Sequence, residues 1–151
     1  MGRKSEYKLA IKSADKQFSI FIRLRDSNKQ GYAKCCTCWR KKHWKKMDCG
    51  HYIKRQFLST RWDERNCAIQ CKSCNKFEQG AQDKHAEYIR KKYGQKVLDE
   101  LEFKHSYEKR HKTKFYVFEL QKIACKYKLK TEKLLKERSG RENNGTNKKY
   151  E

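Results

Sequence analysis

Apolar residues recur at helical spacing in two long stretches, and strand-like spacing is confined to a short region between them. From Ser13 onward, Phe18, Phe21, Ile22 and Leu24 fall near one face of a helix that runs to Arg25 or Asp26, with Ser13 as its N-cap. The run Asp26-Ser27-Asn28, followed by Gly31, ends it. Residues 1–12 are polar and are expected to be loose. Residues 115–136 predict a second long helix, with Val117, Leu120, Ala124, Tyr127 and Leu134 along one side. Lys122, Lys126, Lys130 and Lys133 line another side, as a solvated face or as a contact with a polyanion. Residues 82–92 and 95–103 read as two helical pieces broken at Tyr93-Gly94, and 105–114 breaks the pattern again. Strands are expected at 47–53 and 66–70, joined by a polar connection over 54–61. At Cys71 the pattern switches to a helix running toward Glu78 and Gly80. The tail from Ser139 has few apolar residues and is expected to be disordered. No internal repeat is visible.

Composition narrows this picture. The chain has 151 residues, enough for one compact domain (13–138) with appended helices. With 36% hydrophobic residues and a mean hydropathy of -1.24, the core is small and an extra staple would help it. There is no proline, which favours long helices. The net charge of +22 exceeds what solubility requires and points to a polyanionic partner bound through phosphate neutralisation, with steep loss of affinity in salt. Lysine and arginine are spread along the whole length, and neither a signal peptide nor a run of about 20 apolar residues is present. Nucleic acid is therefore favoured over a membrane surface, and an intracellular location is expected. Arg23 and Arg25 flank the first helical stripe, either as packing contacts or as phosphate ligands. The basic loop 40–46 carries Trp44, which either stacks on an unpaired base or packs down on the core.

Four of the eight cysteines form two Cys-x-x-Cys pairs, Cys35/Cys38 and Cys71/Cys74. In a reducing compartment such pairs indicate a metal rather than disulfides. Four thiolates make a closed tetrahedral Zn2+ site with no open position, so this ion is structural. Cys36, Cys49, Cys67 and Cys125 read as small buried hydrophobes, although Cys36 lies inside the first pair and could compete for ligation.

Between and after the pairs lie residues suited to phosphodiester chemistry. Such hydrolysis needs a base for water and a cation near the leaving oxygen. His51 is the best base. Asn66 holds the hairpin or orients the imidazole, and Asn75 offers a carbonyl oxygen to a hard ion such as Mg2+ or Mn2+. Asp48 is the first choice of carboxylate for that ion, then Glu78, then Glu64. In a regular strand Asp48 and His51 point to opposite faces, and a bulge at Gly50 would bring them together. His43, His85, His105 and His111 are expected at the surface.

The order His51, Asn66, Cys-x-x-Cys-Asn75 resembles that of HNH nucleases. The stretches FIRLRD (21–26), CCTC (35–38), DCGHYI (48–53), TRWDERN (60–66), QCKSCN (70–75) and YGQKVLDELE (93–102) resemble the phage NinG/Rap family of recombination endonucleases, within the HNH or His-Me-finger group. The resemblance implies an α+β, mostly helical fold: a central ββα-metal finger stapled by the four-cysteine zinc site and flanked by N- and C-terminal helices. It implies a metal-dependent DNA endonuclease using one divalent ion and leaving 5′-phosphate and 3′-hydroxyl ends. By analogy its substrates are branched recombination intermediates, displacement loops and four-way junctions, in the cytoplasm of a bacterial host. Two positions depart from the HNH pattern: Gly50 stands where an acidic residue often precedes the base, and Lys76-Phe77-Glu78 follows Asn75. A non-catalytic zinc-containing nucleic-acid-binding protein is the competing expectation. A homodimer would suit a two-fold substrate.

Overall fold

The computed structural model describes residues 2–77 and 81–140. The elements follow in the order α1 (Arg3–Arg25), β1 (Tyr32–Lys34), β2 (Lys41–His43), β3 (Asp48–His51), α2 (Leu58–Arg61), β4 (Cys67–Gln70), α3 (Gln82–Tyr93), α4 (Gln95–Arg110) and α5 (Val117–Gly140). A 3-10 turn over Trp44–Lys46 precedes β3, and a π-helical turn over Ser73–Phe77 follows β4. Among the described residues the sheets are two antiparallel pairs, β1 with β2 and β3 with β4. No described helix is long and apolar enough to cross a membrane.

Helices α1 and α5 lie side by side and bury Phe18, Phe21, Ile22, Leu120 and Tyr127 between them, together with Trp62 and Cys67 from the hairpin region. Their C-terminal ends meet. There Arg138 of α5 donates to the carbonyls of Leu24 and Ser27, both at 2.8 Å, and so ties the end of α5 to the turn after α1. Helix α1 begins at Arg3, not at the expected Ser13, which is an interior, exposed helical residue. The polar pattern of the first turns hid one buried position, Ala10, with Tyr7 and Ile11 packed beside it. Burial against a partner helix, which sequence alone does not display, extends the element. The start of α5 is closed by Glu119, whose carboxylate accepts from the Tyr116 N–H at 2.7 Å.

Helix α4 also outruns expectation, reaching Arg110 instead of stopping near Phe103. Leu98 and Leu101 anchor it in a third cluster with Ile53 and Ile89. Near its end the buried Glu108 accepts from the N–H groups of Leu58 and Ser59 at 2.9 and 2.8 Å, so its carboxylate closes the start of α2. Residues 105–110, read as a pattern break, are thus a working helix end.

The β3–β4 pair is regular: Asp48 faces Gln70, Cys49 faces Ile69, Gly50 faces Ala68 and His51 faces Cys67. There is no bulge at Gly50. What requires glycine there is space, because a Cβ on Gly50 would meet the Gln70 side chain at 2.3 Å from its oxygen and 3.0 Å from its Cβ. Gly50→Ala is expected to lower stability by about 1–3 kcal/mol through overpacking. Thermal melts would show it; an unchanged melting temperature would mean that Gln70 swings away freely.

Candidate metal centre and adjoining cleft

The β1–β2 hairpin is closed by the turn that carries Cys35 and Cys38. Within that turn the Trp39 N–H donates to the Cys35 carbonyl and the Cys35 N–H to the Arg40 carbonyl, each at 3.0 Å. Cys71 and Cys74 come from the end of β4 and the turn after it. The four sulfurs lie within 4.8 Å of one another, and all are free thiols. The Cys38 and Cys71 sulfurs are 3.7 Å apart. An S4 tetrahedron with Zn–S bonds of about 2.3 Å has edges of about 3.8 Å, so the spacing fits this ion. Burial opposes ionisation at Cys35. The Cys71 N–H, the Thr37 hydroxyl and two further turn N–H groups outweigh it and bring this thiol down to about 6. Burial and the neighbouring sulfurs push Cys74 up to about 12. One thiolate is welcome there and four are not, which is the state a divalent cation relieves. Ala33, Met47 and Ile69 complete the cluster, with Trp44 packed against it.

Beside this centre opens a cleft of about 760 Å³, lined by His51, Asp48, Asn75, Arg23, Lys54 and Lys76 among others. Asp48 and His51 alternate along β3, yet both reach the cleft. Asn75, one residue past Cys74, donates through Nδ2 to Asp48 Oδ2 at 3.0 Å. His51 Nε2 lies 3.0 Å from the Arg61 carbonyl. A carbonyl only accepts, so Nε2 carries the proton and Nδ1 keeps its lone pair. Cys49 and His51 share a face of β3, and Cys67 is the cross-strand partner of His51. Their ligand atoms fall within 4.8 Å, a grouping not anticipated for two cysteines read as small hydrophobes. Burial holds the Cys67 thiol well above its ordinary range. Cys36 is likewise buried, whereas Cys125 is exposed, against expectation.

Asn66 is fully buried and outside the cleft lining. Its side chain accepts from the Ile53 N–H at 2.8 Å and donates to the carbonyls of Ile53 and Thr60 at 3.0 and 3.1 Å. It therefore clamps the connection next to Arg61, and none of these bonds reaches the imidazole. The same connection is pinned by a feature the sequence reading missed. Asp15 of α1 receives both Arg61 Nε and Nη2, at 2.9 and 2.6 Å, and Trp62 Nε1 at 3.1 Å. Glu64 is not in the cleft; it pairs with Lys130 of α5. Glu78 lies outside the described residues. Among the described residues lining the cleft, Asp48 is the carboxylate. Trp44 is half-buried, with the Arg23 guanidinium 5.3 Å from its ring centroid, so it packs rather than projects.

Burial pulls His51 down to about 4, which keeps its ring neutral at pH 7. His85 was expected at the surface but is 0% exposed on α3, between Tyr52 and Tyr88. Among the described residues neither of its ring nitrogens has a hydrogen-bond partner. Burial and then the nearby His51 bring it too to about 4. An unfolded histidine takes its proton near 6.5. Stability from both rings is therefore full above about pH 6.5 and is lost as pH falls through about 4. His85→Leu removes an unsatisfied buried group, so it is expected to hold or raise stability at pH 7 by up to about 1–3 kcal/mol. It should also flatten the loss between pH 6.5 and 4. Urea midpoints at pH 7 and pH 5 test this, and a large loss at pH 7 would contradict it.

Fold and centre together define a mostly helical α+β protein with two small two-stranded sheets and a cluster of four cysteines, three features that restrict its relatives. The family model of the bacteriophage lambda NinG protein matches residues 3–137. The chain belongs to this NinG family. Protein ninG of Escherichia phage 933W and protein ninG of Enterobacteria phage VT2-Sa are each 32% identical to it over 132 residues, covering 85% of this chain. The chain spans about 60% of the length of these curated relatives. No solved structure matches it.

Proposed function

We propose that the protein is a metal-dependent DNA endonuclease of the HNH type, acting on branched recombination intermediates. The observation that carries this reading is the state of His51. It is a neutral imidazole whose Nε2–H is held on the Arg61 carbonyl, in a cleft shared with Asp48 and Asn75. The succession β3, β4 and helical turn, stapled by the four cysteines, supports assignment as a ββα finger.

In this mechanism Nδ1 of His51 takes a proton from a water molecule as the water oxygen attacks phosphorus. The P–O bond to the leaving oxygen breaks, that oxygen takes a proton from solvent to become the hydroxyl end, and the imidazolium returns its own proton to solvent. The Arg61 carbonyl holds the ring in the required tautomer, and Asn66 and Asp15 keep that carbonyl in place. Arg23, Lys54, Arg55 and Lys76 line the cleft and bind the flanking phosphates. Asp48 and Asn75 supply the hard oxygen donors suited to Mg2+ or Mn2+. When bound, that ion contributes positive charge opposite the developing alkoxide.

The test is cleavage of a matched set comprising linear duplex, single strand, displacement loop and four-way junction, with Mg2+ or Mn2+. Cutting near the branch is expected. Equal cutting of linear duplex would remove the branched-substrate part of the proposal.

A further inference from the structure

Trp39 stands out in the knuckle turn. Its backbone is left-handed, with φ 62, a conformation that glycine adopts freely and a β-carbon resists. The position is occupied instead by the largest side chain, and that side chain is 61% exposed. The other two tryptophans are accounted for: Trp44 packs under Arg23, and Trp62 is buried against Asp15. The indole of Trp39 borders a second cavity, of about 670 Å³, lying between the turn and α3. Tyr88 supplies another aromatic wall, and three lysines line the cavity: Lys84, Lys91, which pairs with Glu87 at 2.6 Å, and Lys92, which pairs with Asp26 at 3.4 Å. Lys92 Nζ is held by the Tyr88 hydroxyl at 3.0 Å, so the ring and the cation are presented together.

The cavity adjoins the first cleft through the polypeptide. Cys74 belongs to the metal centre and Asn75 to the cleft, while Gln82 lines the cleft and Lys84, one half-turn on, lines the cavity.

We propose that this cavity holds an unpaired nucleobase of the bound DNA, stacked on the Trp39 indole, with Lys84 and Lys91 on the adjoining phosphates. The inference rests on the DNA-directed function above and adds to it the element that senses a branch. Bases in a duplex are already stacked on one another, so only an unpaired base can use an exposed indole, and stacking tolerates any base. The net positive lining suits a nucleotide and not an acidic or neutral peptide.

The experiment measures binding without added divalent ion, so that no cutting is needed. The probes are a labelled fork with single-stranded arms and a flush duplex of equal length. Trp39→Ala and Trp39→Gly are expected to bind the fork about tenfold more weakly while leaving the duplex within about twofold, and Trp39→Phe to retain most fork binding. Trp39→Gly should also melt at or above the wild-type temperature, because glycine relieves the left-handed backbone. Equal loss on fork and duplex, or no loss on either, would overturn the proposal. So would a Trp39→Gly variant that melts markedly lower, which would make Trp39 a packing residue. A wild type that binds neither probe overturns both this inference and the DNA-directed function. One that grips the fork through Trp39 yet never cuts supports the pocket and removes only the nuclease.

Discussion

Cys71→Ser is expected to abolish stoichiometric zinc binding and to unfold the region from β1 to the turn after β4. The cluster around the four sulfurs contains few apolar residues, chiefly Ala33, Met47 and Ile69. Structural zinc contributes about 10–16 kcal/mol in finger-sized peptides, against about 5–15 kcal/mol for the whole stability of a typical domain. Without the ion the two cysteine pairs lose the bonds that hold the turns together. The α1–α5 pair has its own core of Phe18, Phe21, Ile22, Leu120 and Tyr127, so helical content should persist in part. Elemental analysis should therefore find one zinc per wild-type chain and none in the variant. Near-ultraviolet circular dichroism should lose its fine structure while the far-ultraviolet signal falls less. A wild type that is folded without zinc, or a variant with unchanged melting, would contradict this.

His51→Ala is expected to reduce DNA cleavage by about 10²–10⁴-fold, the usual contribution of a positioned general base. It should leave DNA affinity nearly unchanged, because the cationic side chains around the cleft are Arg23, Lys54, Arg55 and Lys76. Separating the two effects matters, since loss of both together would indicate a collapsed hairpin. His51 stands at the end of β3 opposite Cys67, with Phe18 6.3 Å away ring to ring, so alanine leaves a small void and no orphaned charge. Single-turnover cleavage and anisotropy binding on the same preparation check the expectation. Full cleavage by the variant would remove His51 as the base.

Much of the centre was legible because its signals are local. Two Cys-x-x-Cys pairs signal a shared metal site by spacing alone, and the short, partly apolar segments 47–53 and 66–70 read as the hairpin that carries His51. Other features depended on partners distant in sequence. Asp15 looks like an ordinary helix-surface carboxylate until Arg61 and Trp62 fold against it. The start of α1 looks polar until Ala10 meets the neighbouring helix. His85 reads as a surface histidine because its helix is highly charged, and only packing against Tyr52 and Tyr88 buries it. Trp44, read either as stacking on an unpaired base or as packing on the core, is covered by Arg23 from α1, whereas Trp39 is left facing outward. The motif residues Thr60 to Asn66 serve largely as scaffold. Asp63 is held near 2 against its burial by Arg65 and Lys104, and Asn66 clamps the loop through Ile53 and Thr60.

The central claim is that the cleft around His51 hydrolyses phosphodiesters, and its most direct test is incubation of folded, zinc-loaded wild-type protein with a four-way junction, with and without added Mn2+ or Mg2+. The account predicts strand cleavage that requires the added ion and leaves 5′-phosphate ends. Absence of cutting with either ion, on this and every other DNA form, would contradict it and leave a zinc-containing DNA-binding protein in its place.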